Sequence, residues 1–147
     1  MKDRTEFFED NPKMVEELIA FSESNADSIP TLSEYLNRLM AQKNLSAPEI
    51  YSRGEINRQV YDRLIQYGEP SRARKLTLLQ IAIGILASQS ETEQLLATCG
   101  YTIEYSSVQD LAFMFCILNG FYDMRCVYEA QEIIAGRGTK GFKGVGK

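Results

Sequence analysis

Apolar positions in this chain recur at three- and four-residue intervals, and the polar residues between them carry the signals that start and stop helices. From Thr31 the pattern is clear. Thr31 and Glu34 form a T-x-x-E capping box, in which each side chain satisfies an otherwise unpaired backbone N–H, and Leu32, Leu36, Leu39 and Met40 line one face of the helix they open. Asn44 is the expected stop. Ser46, Pro48 and Glu49 start a second, short helix that runs to about Arg53. An interruption at Gly54 and Glu55 follows, and a third helix begins near Asn57 with Val60, Tyr61 and Leu64 spaced to face a core. After YGEPS, the segment RARKLTLLQIAIGILAS is basic for one turn and then apolar on nearly every side. Leu76, Leu79, Ile83 and Leu86 form one stripe and Leu78, Ile81 and Ile85 fill the others, the mark of a central core helix. Ser90 and Glu93 read as a further capping box, for a helix ending at Gly100. SSVQDLAFMFCILNG predicts a buried helix stopped by Asn119 and Gly120. Asp123 caps the last helix, with Met124, Val127, Tyr128 and Ile134 on one side and Gly136 at its end. No stretch makes a convincing strand, so the expected class is all-α.

The two ends differ from this middle. Residues 1–30 read as an acidic appendage with one short helix, about Pro12 to Phe21, where Met14, Leu18 and Phe21 recur at helical spacing before SESNADSIP closes it. Residues 137–147 read as a flexible, basic, glycine-rich tail. GRGTKG and GFKGVGK there imitate phosphate-binding loops, but no strand precedes them and no helix follows, which removes the context such loops need. The organisation expected is therefore appendage 1–30, helical domain 31–136 and tail 137–147, consistent with one core in 147 residues.

Composition narrows the chemistry. Apolar residues are 44% and charged residues 24% of the chain, an ordinary globular balance. The longest nearly unbroken apolar run, LAFMFCIL at 111–118, is far short of the roughly 20 residues a membrane-spanning helix needs, so no membrane partner is expected. The N-terminus lacks the apolar region of a secretion signal, and Cys99, Cys116 and Cys126 show no paired spacing, so a cytoplasmic address with reduced thiols is expected. With no histidine there is neither the commonest general base nor a recognisable zinc set, and the carboxylate pairs Glu91/Glu93 and Glu129/Glu132 read as ordinary surface acids. Neither an enzyme nor a cofactor is expected. Net charge is −4, yet residues 31–75 carry 8 basic and 5 acidic side chains, a net +3, and the last eleven residues carry 4 basic and no acidic ones. A polyanion partner would have to use those segments.

The positive segment contains IYSRGEINRQVYDRLIQ, residues 50–66. From Leu45 to Ile65 its register resembles, without gaps, the helix-turn-helix of lambda-repressor-like (Cro and XRE type) regulators, with Ile50, Ile56, Tyr61 and Leu64 at the family's inter-helix core positions. It departs from that pattern at Tyr51, where the family has a small residue, at Gly54, where it has an apolar one, and at Glu55, where it has the turn glycine. A left-handed turn at Glu55 would be costly. A closer resemblance covers residues from about Tyr35 to Ile134, through IYSRGEINRQVYDRLI, PSRARKLTLLQIAIGI, ETEQLLATCGY and SSVQDLAFMFCILNGFYDMRCVYEA. It is similar to a helical module found in bacteria both alone and behind macro domains, although no macro domain is present here.

The first resemblance implies double-stranded DNA as partner, with the helix from Asn57 to Gln66 in the major groove. Asn57, Arg58, Gln59, Asp62 and Arg63 would then face the bases, and Arg72, Arg74 and Lys75 would meet phosphates at the start of the next helix. Three cations at a helix N-terminus oppose its dipole, a mismatch that asks for an anionic partner. A dimer would double the cationic patch, and Phe113, Phe115, Phe121 and Tyr122 are the candidate surface for a second copy or a protein partner; the alternative function is an adaptor that keeps the fold and holds a protein with these aromatic C-terminal helices and the acidic N-terminal helix. The two readings separate on geometry. A DNA reader exposes Arg58, Gln59 and Arg63 together, whereas an adaptor engages them in internal ion pairs with Glu55, Asp62 or Glu69.

Overall fold

A computed structural model describes residues 4–25, 30–67 and 73–136. The described residues form nine α-helices and no strand: α1 Arg4–Glu9, α2 Pro12–Asn25, α3 Leu32–Lys43, α4 Ala47–Arg53, α5 Arg58–Tyr67, α6 Lys75–Gly84, α7 Gln89–Ala97, α8 Val108–Leu118 and α9 Met124–Gly136. None of these is long and apolar enough to cross a membrane. The chain divides into two compact units, Met1–Pro30 and Thr31–Lys147.

The first unit holds two helices where the sequence pattern suggests one. α1 escapes notice because RTEFFE is a single turn and a half with no apolar period. Asn11 joins it to α2, its side-chain amide donating to the Phe7 carbonyl at 2.6 Å while its own carbonyl accepts from Met14 N–H at 2.9 Å. α2 runs four residues past Phe21. Ser22, Ser24 and Asn25 donate back to the carbonyls of Ile19 and Phe21, so polar residues that usually end a helix extend this one.

In the second unit α6 is the central post. Leu78, Leu79, Ile81, Ala82 and Ile83 are fully buried, and α4, α7 and α8 pack around them. Two glycines set the approach of α4. A Cβ at Gly84 would overlap the carbonyl oxygen of Ile50, and one at Gly54 that of Gln80, so the helices touch backbone to backbone. Arg53 fastens the same contact by donating to the Gly84 carbonyl. α3 closes over α5 and α7, and α8 with α9 forms an antiparallel pair whose buried side carries Phe113, Met114, Ile117, Met124 and Val127.

The capping boxes at Thr31/Glu34 and Ser46/Glu49 are both formed, and Asn44 ends α3 in the left-handed region at φ 55°. The third box is displaced by two residues. It is Ser88 with Glu91, not Ser90 with Glu93, that exchanges hydrogen bonds, at 3.2 and 2.9 Å. The cause lies just upstream: α6 stops at Gly84, and Leu86, expected on its apolar stripe, turns left-handed at φ 57°. Two side chains, Lys43 and Tyr122, hold that corner. Lys43 donates to the Leu86 carbonyl at 3.0 Å and pairs with Glu91 at 2.9 Å, and the Tyr122 hydroxyl donates to the Ala87 carbonyl at 2.6 Å. Burial opposes ionisation of Glu91, but the Ser88 N–H and the Lys43 ammonium outweigh it and hold the carboxyl below its usual range.

Candidate nucleic-acid interface

Four residues, 54–57, join α4 to α5. Glu55 adopts φ 55°, the left-handed conformation that its side chain disfavours by about 1–2 kcal/mol. The turn is nonetheless well tied. Ile56 is buried and its N–H donates to the Tyr51 carbonyl at 2.8 Å, and the Gln80 side chain donates to the Glu55 carbonyl at 3.4 Å. The other departures from the helix-turn-helix pattern have uses here too. Tyr51 packs against Tyr61 with ring centroids 5.8 Å apart, and Gly54 admits α6.

α5 buries Tyr61 and Leu64 and turns its opposite side outward. Gln59, Arg63 and Gln66, at i, i+4 and i+7, form an exposed stripe, with Arg58 and Asp62 on the neighbouring one. The Arg58 side chain is 75% exposed, its Nε 3.6 Å from the Asp62 carboxylate one turn on. Such a pair contributes only about 0.3–0.5 kcal/mol, so a phosphate or base edge can displace it. Asn57 is committed differently. Its side-chain oxygen caps α5, accepting from Gln59 N–H at 2.8 Å and Val60 N–H at 3.2 Å. Beside Asp62, a groove lined by Asn37, Met40, Ala47, Tyr61, Ile65 and Gln66 runs between α3, α4 and α5.

The second cluster of expected contacts separates. Arg72 lies outside the described residues. Arg74, at the N-cap position of α6, is exposed and makes no side-chain capping bond. Lys75 points inward: its ammonium sits 2.5 Å from the Asp110 carboxylate of α8, and Asp110 is 1% exposed. The same carboxylate oxygen accepts from Glu104 N–H at 2.7 Å. The anion that the lysine at this helix start requires is therefore internal, and Lys75 is placed as a tie between α6 and α8 rather than on the surface.

The aromatic cluster divides in the same way. Phe113 is fully buried, and Tyr122 is half-buried with its hydroxyl on Ala87. Phe115 and Phe121 remain outside, 57% and 47% exposed, their rings 6.4 Å apart, and Leu118 joins them one turn along α8. Tyr128, expected beside Met124 and Val127 on the inner side of α9, is instead 45% exposed, its hydroxyl donating to the Glu55 carboxylate, and Asp110 and Leu118 carry roles that sequence patterns did not single out. Asp110 left a trace, as the acid three residues after the capping Ser107.

Compared with known families, curated proteins and solved structures, the chain matches none.

Proposed function

We propose that residues 31–136 form a DNA-binding regulator of the lambda-repressor-like, XRE type, reading the major groove with α5. The observation that carries this reading is the outward face of Arg58, Gln59 and Arg63, solvent-exposed on a helix whose inner side is anchored by Tyr61 and Leu64. Arginine pairs naturally with guanine and glutamine with adenine, and a helix held by its neighbours presents them at fixed angles. Arg74 supplies a phosphate contact, joined by Arg72. Asn57 and Lys75 support the interface without contacting DNA, one by capping α5 and the other by seating α6.

The test is fluorescence anisotropy of a labelled pool of random duplex DNA at low and near-physiological salt, with an Arg58→Ala, Arg63→Ala double variant alongside. Affinity that falls steeply with salt, and falls again in the variant, is expected, since binding to random duplex rests on phosphate contacts and the variant loses two cations. No binding at low salt, or binding indifferent to both substitutions, removes the DNA reading.

Two observations favour a protein-interaction role: Arg58 is paired with Asp62, as expected of an adaptor, and Phe115, Leu118 and Phe121 make a contiguous exposed apolar patch on the α8 side. In an adaptor this patch holds a protein, a second copy of the chain included. Sedimentation velocity across a concentration series, with Leu118→Asp as control, tests self-association; a monomer at every concentration excludes the homodimer.

A further inference from the structure

Glu55 occupies a backbone conformation that glycine adopts freely, so the presence of a long acidic side chain there asks what the side chain does. Its carboxylate accepts a hydrogen bond from the hydroxyl of Tyr128 on α9, at 2.9 Å and across 73 residues of sequence. Its main-chain carbonyl accepts from Gln80 on α6. One residue later the chain dives into the core at Ile56, and two residues later Asn57 caps α5. The turn that aims α5 is thereby held at its backbone by one helix and at its side chain by another.

We propose that Glu55 and Tyr128 are a positioning pair: their hydrogen bond fixes the turn from the α9 side and so sets the direction in which the face carrying Arg58, Gln59 and Arg63 projects. Neither residue touches the partner. The inference rests on the DNA reading for its consequence, but its physical content, the stiffness of the turn, is measurable without DNA. α9 then does more than cover α8: it reports its own position to the helix that reads.

The experiment uses amide hydrogen exchange on the full ¹⁵N-labelled chain, with Tyr128→Phe, Glu55→Gln and Glu55→Gly. The amides of Ile56, Gln59, Val60 and Tyr61 all donate within the turn or the first turn of α5 and are the probes. Tyr128→Phe is expected to raise their exchange several-fold while the amides of Leu78 on α6 and of Ile85, which caps its end, keep theirs. Glu55→Gln retains an acceptor and is expected to restore wild-type rates. Glu55→Gly is the decisive variant: relief of the left-handed strain holds or raises the melting temperature while exchange in the turn still rises, a combination that a merely stabilising contact does not produce. In the anisotropy assay Tyr128→Phe, which changes no charge, is expected to weaken affinity several-fold with the salt slope unaltered. Unchanged exchange at the four probes in Tyr128→Phe overturns the pairing, whatever the DNA result. Raised exchange in Tyr128→Phe, together with a wild-type chain that binds no DNA, sustains the pairing and removes the DNA reading alone.

Discussion

Burying a carboxylate without a cation beside it is expensive, and Asp110 is buried with Lys75 against it. Removing one partner leaves the other uncompensated. Asp110→Ala is expected to lose about 3–5 kcal/mol in urea unfolding, while Lys75→Met combined with Asp110→Asn recovers most of that loss. Additive losses in the double variant would show that the two groups do not depend on each other. Leu86 offers a test of the opposite sign. Its φ of 57° costs about 1–2 kcal/mol for a side chain with a Cβ, whereas glycine there forfeits about 0.5–1 kcal/mol of chain entropy. Leu86→Gly is therefore expected to hold or raise the melting temperature, and Leu86→Val, with its branch at Cβ, to lower it.

Helix starts are where the sequence spoke most plainly, because a capping box is a local exchange of hydrogen bonds between residues three apart. Thr31 and Ser46 were legible for that reason. At α7 two boxes with the same spacing compete, and the choice depends on where α6 ends, which depends in turn on a leucine entering a conformation that hydrophobic periodicity counts as helical. Ser88→Ala is expected to cost about 1 kcal/mol and Ser90→Ala less than about half of that, a contrast readable in denaturant midpoints. Equal losses would place the cap at the wrong serine. The α5 stripe was legible from apolar spacing, since Tyr61 and Leu64 fix which side faces out. Its supports were not. Lys75 meets Asp110, and Glu55 meets Tyr128, across separations that no local pattern encodes. The same limit hid the burial of Phe113 beside the exposure of Phe115, since a run that is apolar on every side does not declare which side is inside.

For the molecule as a whole, pH reports how its acids are housed. Burial pushes the Cys116 thiol from an ordinary 9.0 up to about 11, with Cys126 adding to it, and the Tyr61 hydroxyl from 10.0 up to about 12, with Asp62 adding to it. The hydrogen bond to Glu55 raises Tyr128 as well, and burial raises Tyr35, Tyr122 and Cys99. Each group holds its proton more tightly folded than unfolded, so its contribution is whole below its ordinary value and is lost as pH rises through the raised one. Stability is expected to be level at neutral pH and to fall steeply from about pH 9 to 12, with Tyr61 alone responsible for about 2–3 kcal/mol. Urea midpoints taken from neutral pH upward check this, and Tyr61→Phe should flatten the last part of the fall. At the acid end Glu91 acts in the other direction: its contribution is present at neutral pH and lost as pH drops below the ordinary carboxyl value.

The tie between Lys75 and Asp110 also bears on how such a chain can be inherited. A gene fragment encoding only α3 to α7 would carry a lysine whose counter-charge had been left behind, and one encoding only α8 and α9 would carry a carboxylate with the reverse problem. Recombination that cuts between α7 and α8 is penalised on both sides of the cut. Residues 75–110 are thus expected to travel together between genes, and a variant losing α8 would need a compensating change at Lys75 before selection could keep it.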